Sequence, residues 1–480
     1  MDHETFRRYG HELIDWVADY MRNVETYPVL SRVSPGEIRD RVPPSPPEEG
    51  ETMEAVIEDF RRIILPGITH WNHPRFFAYF PANHSGPSIL AELLSAALGI
   101  NAMLWQTSPA ATELEERVMD WLRQMLGLPG EFRGVIQDTA STATLCALIC
   151  ARERSSGFRI NEKGFMGGVM DGALRIYTSG EAHSSVEKDA RIAGFGSQNV
   201  VKVDVDAAFA MVPEDLEKRI LADRNSGLIP CCVVATVGTT SSTALDPLRP
   251  IGEIARRYGL WLHVDAALAG SAAILPEKRW ILDGIELVDS FVFNPHKWLF
   301  TNFDCSAFFV RDPEALTRTL SILPEYLKTD LDRQVTNFRD WGIQLGRRFR
   351  ALKLWFVIRS YGVEGLRTKL RDHLRWAQEF KEWVEKDPDF EILAPVPLNT
   401  VCFRFNPWGE GASAEDLERL NKAVLDEVNR SGRIFITHTK LKGDFSLRLC
   451  VGQTQTQRHH VREAWEALCE TRTVKKHRKG

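Results

Sequence analysis

The sequence predicts an α/β protein with a mainly parallel, seven-stranded sheet, a helical segment before it and a small α+β domain after it. Three observations predict this. Residues 134–310 alternate short apolar runs with amphipathic segments, the pattern of a parallel sheet covered on both faces. Before residue 80, apolar side chains recur at helical spacing. From Gly362 onward the alternation gives way to a long helical period, a strand and a hairpin signal. At 480 residues the chain is too long for one core. The three patterns divide it at 1–80, 81–361 and 362–480.

In the first region Phe6, Leu13, Ile14, Val17, Tyr20 and Met21 lie on one face of a helix over 2–23. Pro35, Pro43, Pro44, Pro46 and Pro47 mark a connector that excludes helix and central strand. Met53, Val56, Ile57, Phe60 and Ile63 give a second amphipathic helix. Faces this apolar require a partner surface, either the rest of the chain or a second subunit. In the middle region the strand candidates are Gly134–Gln137, Leu174–Thr178, Val200–Val205, Cys231–Thr236, Leu260–Val264, Ser290–Phe293 and Ala307–Val310. Helices are expected at Ser141–Arg154, Ser184–Ala193, Pro213–Ala222 and Pro250–Tyr258. The last region reads as a helix Leu366–Lys386, a strand Val401–Phe405 and a helix Ala414–Val428. A hairpin follows from Ile434–Thr437 to Ser446–Cys450 about Lys442-Gly443-Asp444, then a helix His460–Cys469.

Composition removes several functions. A net charge of −5 gives no basic excess for nucleic acid or an anionic membrane. No apolar stretch is long enough for a bilayer, and the acidic start Met1-Asp2-His3-Glu4 does not suit a signal peptide, so a cytoplasmic protein is expected. The 8 cysteines include no C-x-x-C pair, so reduced buried thiols are expected rather than zinc. No G-x-G-x-x-G follows a strand, and no P-loop is present. His70 and His73 flank Trp71-Asn72 without a further ligand nearby; packing or a pocket wall is expected there, and no metal.

In open parallel sheets, ligands collect at the carboxyl ends of the strands. Asp265 ends one strand, and Lys297 follows the next in Asn294-Pro295-His296-Lys297. An amine and a carboxylate emerging side by side suit pyridoxal phosphate (PLP). The lysine binds its aldehyde, and the carboxylate keeps its pyridine nitrogen protonated, so that the ring accepts electrons. Taken alone, the two residues would read first as a structural ion pair.

The wider context changes that reading. Asn294-Pro295-His296-Lys297-Trp298 resembles the cofactor-lysine motif of group II PLP-dependent amino-acid decarboxylases. His263-Val264-Asp265-Ala266-Ala267 resembles the motif of that family's pyridinium partner. Thr178-Ser179-Gly180-Glu181-Ala182-His183 resembles its segment carrying the ring-stacking histidine, and Gly346-Arg347-Arg348-Phe349-Arg350-Ala351 is a further match. The likeness runs from Phe6 to Trp465 and is greatest to aromatic-L-amino-acid decarboxylases, bacterial DOPA decarboxylases included. It implies the type I fold of PLP-dependent transferases, decarboxylation of an aromatic L-amino acid, and a homodimer with shared sites.

The resemblance also implies roles. Lys297, Asp265 and His183 would hold the cofactor and act in catalysis. Ala140 and Ser141 would offer N–H groups and a hydroxyl to its phosphate at a helix start, with Asn294 adding a bond. Thr240 would lie near the ring hydroxyl, and His296, beside the lysine, would also contact the cofactor. Tyr326, in a polar, lid-like stretch, would be the proton donor. Trp71, Tyr79, Phe80, Pro81 and Ala82 would edge the substrate pocket, with Asn101, Met103 and Gly346 completing it, Asn101 and Met103 from the neighbouring subunit. Ala82 and Met103 stand where the animal enzymes carry a threonine and a phenylalanine, which bears on the substrate rather than the reaction. Rival readings are an aromatic aldehyde synthase, against which Tyr326 and His183 both argue, and a glutamate-type decarboxylase or an aminotransferase. The last would need an arginine for the α-carboxylate, for which Arg448 is the candidate in the small domain. A catalytically dead scaffold is the remaining rival.

Overall fold

A computed structural model describes residues 1–322, 331 and 334–476. Seven strands form the large sheet: β1 (Arg133–Gln137), β2 (Leu174–Ser179), β3 (Val200–Val203), β4 (Ile229–Thr236), β5 (Trp261–Asp265), β6 (Ser290–Phe293) and β7 (Ser306–Val310). Their order is β1-β7-β6-β5-β4-β2-β3. Only β7 runs against its neighbours. The other six are parallel, so their carboxyl ends share one edge.

The strands are apolar because helices cover both faces. Every residue of β5, β6 and β7 is buried. Each fully buried Val, Leu or Phe side chain contributes about 1.5–3 kcal/mol. Helices Ala140–Ser155 and Leu248–Tyr258 pack on the sheet. The first is capped by Thr139, whose hydroxyl accepts from the Thr142 N–H at 3.3 Å.

A second sheet joins β8 (Phe390–Ile392), β9 (Thr400–Phe405), β10 (Thr437–Leu441) and β11 (Asp444–Cys450) in the order β10-β11-β9-β8, all antiparallel. Helices Ala414–Arg430 and Arg458–Lys476 accompany it. A single long helix, Arg350–Lys386, links it to the large sheet. This helix bends at Gly362, whose φ of 65° is the left-handed conformation that glycine adopts without steric cost.

Two expectations need correction. The proline-rich connector does contain a helix, Glu37–Arg41, a single turn that fits between Pro35 and Pro43. The hairpin strand expected at Ile434–Thr437 instead begins at Thr437 and runs to Leu441, because its register with β11 is set by the turn at Lys442-Gly443. The helix expected at Leu366–Lys386 is present beyond the kink at Gly362, with a further helical stretch before the kink from Arg350. Two helices, Gly86–Leu98 and Pro109–Leu126, had no counterpart in the sequence reading.

Candidate active site

At the carboxyl edge of the sheet, β5 ends on Asp265, which pairs in register with Thr236 of β4 and Val292 of β6. The Asp265 Oδ1 accepts from the Ala267 N–H at 3.0 Å, which orients the carboxyl group and leaves its second oxygen available. Five residues beyond Val292, Lys297 sits in the short helix Pro295–Trp298. Its Nζ lies 5.1 Å from the centre of the Phe80 ring. Burial pushes the Lys297 ammonium pKa down, and the Asp265 charge partly restores it. Yet no ion pair joins Lys297 to Asp265 among the described residues. The two charges sense each other across a gap, so a plain structural salt bridge does not account for them.

His183 follows β2 on the same edge. Its Nδ1 lies 2.9 Å from the Ser185 hydroxyl and accepts the Ser185 N–H at 3.2 Å. A nitrogen that accepts from a backbone N–H carries no proton, so the neutral ring keeps its proton on Nε2. Burial lowers the His183 pKa, Asp265 opposes the shift and Lys297 adds to it. The imidazole is therefore neutral near pH 7.

Asn294 closes β6. Its Oδ1 accepts from the Ser306 hydroxyl at 2.6 Å, which leaves the amide nitrogen to donate elsewhere. His296 is differently placed: its Nδ1 accepts from the Cys305 N–H at 2.9 Å, its ring packs on Phe303, and burial takes its pKa to about 3. That ring supports the lysine-bearing segment. Ala140 and Ser141 open the helix that follows β1. Because Thr139 is the cap, the Ser141 hydroxyl is not used for capping, and the first N–H groups point off the helix end. Thr240 is exposed at the turn after β4, while the neighbouring Thr239 is buried and bonded to Ser242 and Ala244.

On the aromatic side, Trp71 stacks on Tyr79 with centroids 5.7 Å apart. Phe80 lies between Lys297 and Arg448, whose guanidinium is 4.7 Å from the ring centre. Pro81 is buried and Ala82 half-buried. Asn101, Met103 and Gly346 gather in a separate group. Asn101 accepts from the Arg347 N–H at 3.0 Å, its amide approaches the Met103 sulfur at 3.6 Å, and a Cβ on Gly346 would lie 3.8 Å from it. No hydrogen bond or ring contact among the described residues ties this group to Lys297, His183 or Asp265. Tyr326 lies outside the described residues.

Residues 35–406 match the pyridoxal-dependent decarboxylase conserved domain. The chain belongs to this family. It is 46% identical to phenylacetaldehyde synthase of Arabidopsis thaliana, over 98% of this chain and 96% of that protein. It is 44% identical to tyrosine decarboxylase 2 of Narcissus pseudonarcissus, over 99% and 95%. A crystal structure of Oryza sativa TDC with PLP and tryptamine superposes with a TM-score of 0.95 at 39% identity, covering 99% of both chains.

The decarboxylase uses pyridoxal 5'-phosphate, and the residues present fit that group. An amine and a carboxylate separated by a gap, a neutral imidazole and a helix N-terminus converge on one sheet edge. The buried hydroxyls of Ser179 and Thr236, at the ends of β2 and β4, have no protein partner among the described residues. The sequence reading missed Asn83, whose amide donates to the carbonyls of Lys297 (2.8 Å) and Gly452 (2.7 Å). It also missed Ser185 as the group that sets the His183 tautomer. Neither position has a sequence pattern; the second could have been suspected from a serine two residues after the histidine. Arg448 donates to the carbonyls of Ser241 and Tyr79, so it braces the pocket edge.

The expected absence of a metal is tested by one cluster with suitable spacing among the described residues, Glu25, His459 and His460. The His460 Nδ1 accepts from the Gln457 N–H at 3.0 Å. The neutral ring therefore keeps its proton on Nε2, the atom 3.2 Å from Glu25, and a protonated nitrogen is no ligand.

Proposed function

We propose that this enzyme decarboxylates aromatic L-amino acids (DOPA, tyrosine, phenylalanine, tryptophan or 5-hydroxytryptophan) to the amine and carbon dioxide, through the residues assembled at this sheet edge. The observation that carries the reading is Lys297 and Asp265 on adjacent strand ends, close enough to sense each other and not paired. Bound cofactor supplies an electron-accepting ring that takes up the electron pair of the breaking Cα–carboxylate bond. Lys297 holds the cofactor through Nζ, and its lowered pKa favours the neutral, nucleophilic amine. The free oxygen of Asp265 holds a proton on the pyridine nitrogen. The N–H groups of Ala140 and Ser141, the amide of Asn294 and, at the ring's edge, Thr240 fasten the remainder. His183 would stack on the ring with its proton on Nε2, and Tyr326 would deliver the proton that Cα receives. Trp71, Tyr79, Phe80, Pro81 and Ala82 take the aromatic side chain and exclude water.

The working unit in this reading is a homodimer. Exposed Phe6, Leu13 and Ile14 on the first helix, and Leu90, Leu93, Leu94 and Leu98 on helix Gly86–Leu98, are surfaces for a second copy. Asn101, Met103 and Gly346 would then complete the other subunit's pocket. No helix among the described residues is long and apolar enough to cross a membrane. Cys146, Cys150, Cys231, Cys232, Cys305, Cys402 and Cys450 are buried free thiols, which supports a reducing, cytoplasmic setting.

A second reading ends in the aromatic aldehyde, favoured by the likeness to phenylacetaldehyde synthase. Product analysis of the cofactor-loaded enzyme with those five aromatic acids decides. Amine with equimolar carbon dioxide is expected, with nothing formed by Lys297→Ala. Aldehyde, ammonia and peroxide as the main products would establish the second reading. Glutamate consumed as fast as the aromatic acids would overturn the pocket assignment.

A further inference from the structure

A cavity of about 770 Å³ opens between the long helix and residues 454–462, and its lining includes none of the active-site residues named above. It is lined by Lys369, Asp372, Arg375, Trp376, Arg458 and Arg462, among others. Four cations thus face one carboxylate. Asp372 is taken by Arg375 at 2.6 Å, and Arg458 is held by Glu379 at 2.6 Å. Lys369 and Arg462 have no carboxylate partner among the described residues. Arg462 lies on the Trp383 ring at 4.8 Å, and Lys369 is flanked by Tyr361 and Phe300 at 5.5 and 5.7 Å. The largely buried Trp376 ring forms part of the wall.

We propose that this cavity is a binding site for a phosphate group, either free or carried on a small ester. A tetrahedral dianion meets two cations that have no ion-pair partner among the described residues, and it presents several acceptor oxygens to them. A volume of this size leaves room for the organic part of an ester.

Both walls of the cavity end on the segment that carries the catalytic lysine. From the helix wall, His373 accepts the Trp298 indole N–H at 3.0 Å. From the opposite wall, Thr454 donates its N–H (2.9 Å) and hydroxyl (2.6 Å) to Asn83, which in turn donates to the Lys297 carbonyl. An occupant bonded to both walls restrains Lys297 and Trp298 together.

The test is calorimetric titration of the cofactor-saturated enzyme with inorganic phosphate and with glucose 6-phosphate, at ionic strength matched with chloride. Saturable binding of one equivalent per chain is expected for at least one of the two. The one that binds identifies the source. Lys369→Gln and Arg462→Gln should each weaken it about tenfold or more. The melting temperature and the amine-forming rate without phosphate should not change in these variants. Bound phosphate should also slow cofactor loss on dilution. Absence of saturable binding by either probe, or binding unaltered in the Lys369→Gln/Arg462→Gln pair, overturns the site. Cofactor loss at the same rate with and without the anion overturns the coupling.

Discussion

Asp265 and Tyr326 pose the sharpest questions at the scale of single residues. Asp265→Asn keeps the shape and the bond from Ala267 and removes only the charge. Without it the pyridine nitrogen is no longer held protonated. Loss of one such contact to developing charge is worth roughly 10²–10³-fold in rate. Steady-state assays with retained fold should show a fall of that size; near-normal turnover would dismiss the role. Tyr326→Phe tests the proton instead. General acid catalysis contributes about 10²–10⁴-fold, so amine formation should drop by that range. A Cα that waits longer for its proton meets dissolved oxygen. Under air the variant should give aldehyde, ammonia and peroxide at the expense of amine, and under nitrogen it should not. The same amine yield and rate in both gases would move the donor role to His183, whose proton sits on Nε2.

At the scale of elements, the site depends on how closely β6 approaches the turns beside it. A Cβ on Gly270 would lie 2.4 Å from the Cβ of Phe293, the last residue of β6. No rotamer relieves a clash between two β-carbons, so the backbone must shift. The strand that shifts is the one leading into Asn294 and Lys297. Gly270→Ala should cost about 1–3 kcal/mol, the usual range for overpacking. It should also loosen the cofactor. Thermal melting and cofactor retained after dialysis measure the two effects, and wild-type values for both would show that β6 is not so constrained. The alternation of strands and helices was legible because buried parallel strands are uniformly apolar and their helices are not. Pro109–Leu126 escaped notice because its period is broken by charged Glu115, Glu116 and Arg117, and Glu115 is buried against Arg347. Only the fold supplies that partner.

For the whole molecule, acid should be more damaging than alkali. Burial lowers the pKa of His73, His296 and His373 to about 3, and of His84 and His263 to about 4. Unfolding returns each to about 6.5. Below that pH the unfolded chain binds more protons, so each group's contribution is intact above 6.5 and is lost as pH falls towards the folded value, by about 1.4 kcal/mol per pH unit each. Asp189 and Asp246 act oppositely, since burial raises them to about 7 and about 6. Five histidines outweigh two carboxylates. The melting temperature should therefore be steady between pH 7 and 8 and decline from about 6.5 to 4; a rise over that interval would contradict the burial of these rings. The second whole-molecule prediction is assembly. Sedimentation should find a dimer, and Leu94→Glu should yield inactive monomers; a fully active monomer would show that the exposed leucines serve something else.

The sequence by itself determined the seven strands, the helices between them, and the chemistry at their ends, because burial and side-chain chemistry are written residue by residue. The places of Lys297, Asp265 and His183 beside strand ends were legible for that reason, while the roles proposed for them rest on the resemblance of their motifs. The tertiary structure alone decided the strand order, with β7 reversed between β1 and β6, since local patterns carry no pairing information. It also decided that Lys297 and Asp265 face each other unpaired, that the His296 ring turns to Cys305, and that Asn83 reaches the Lys297 carbonyl across 214 positions of chain. Those contacts join residues far apart in sequence, and only packing brings them within a hydrogen bond's reach.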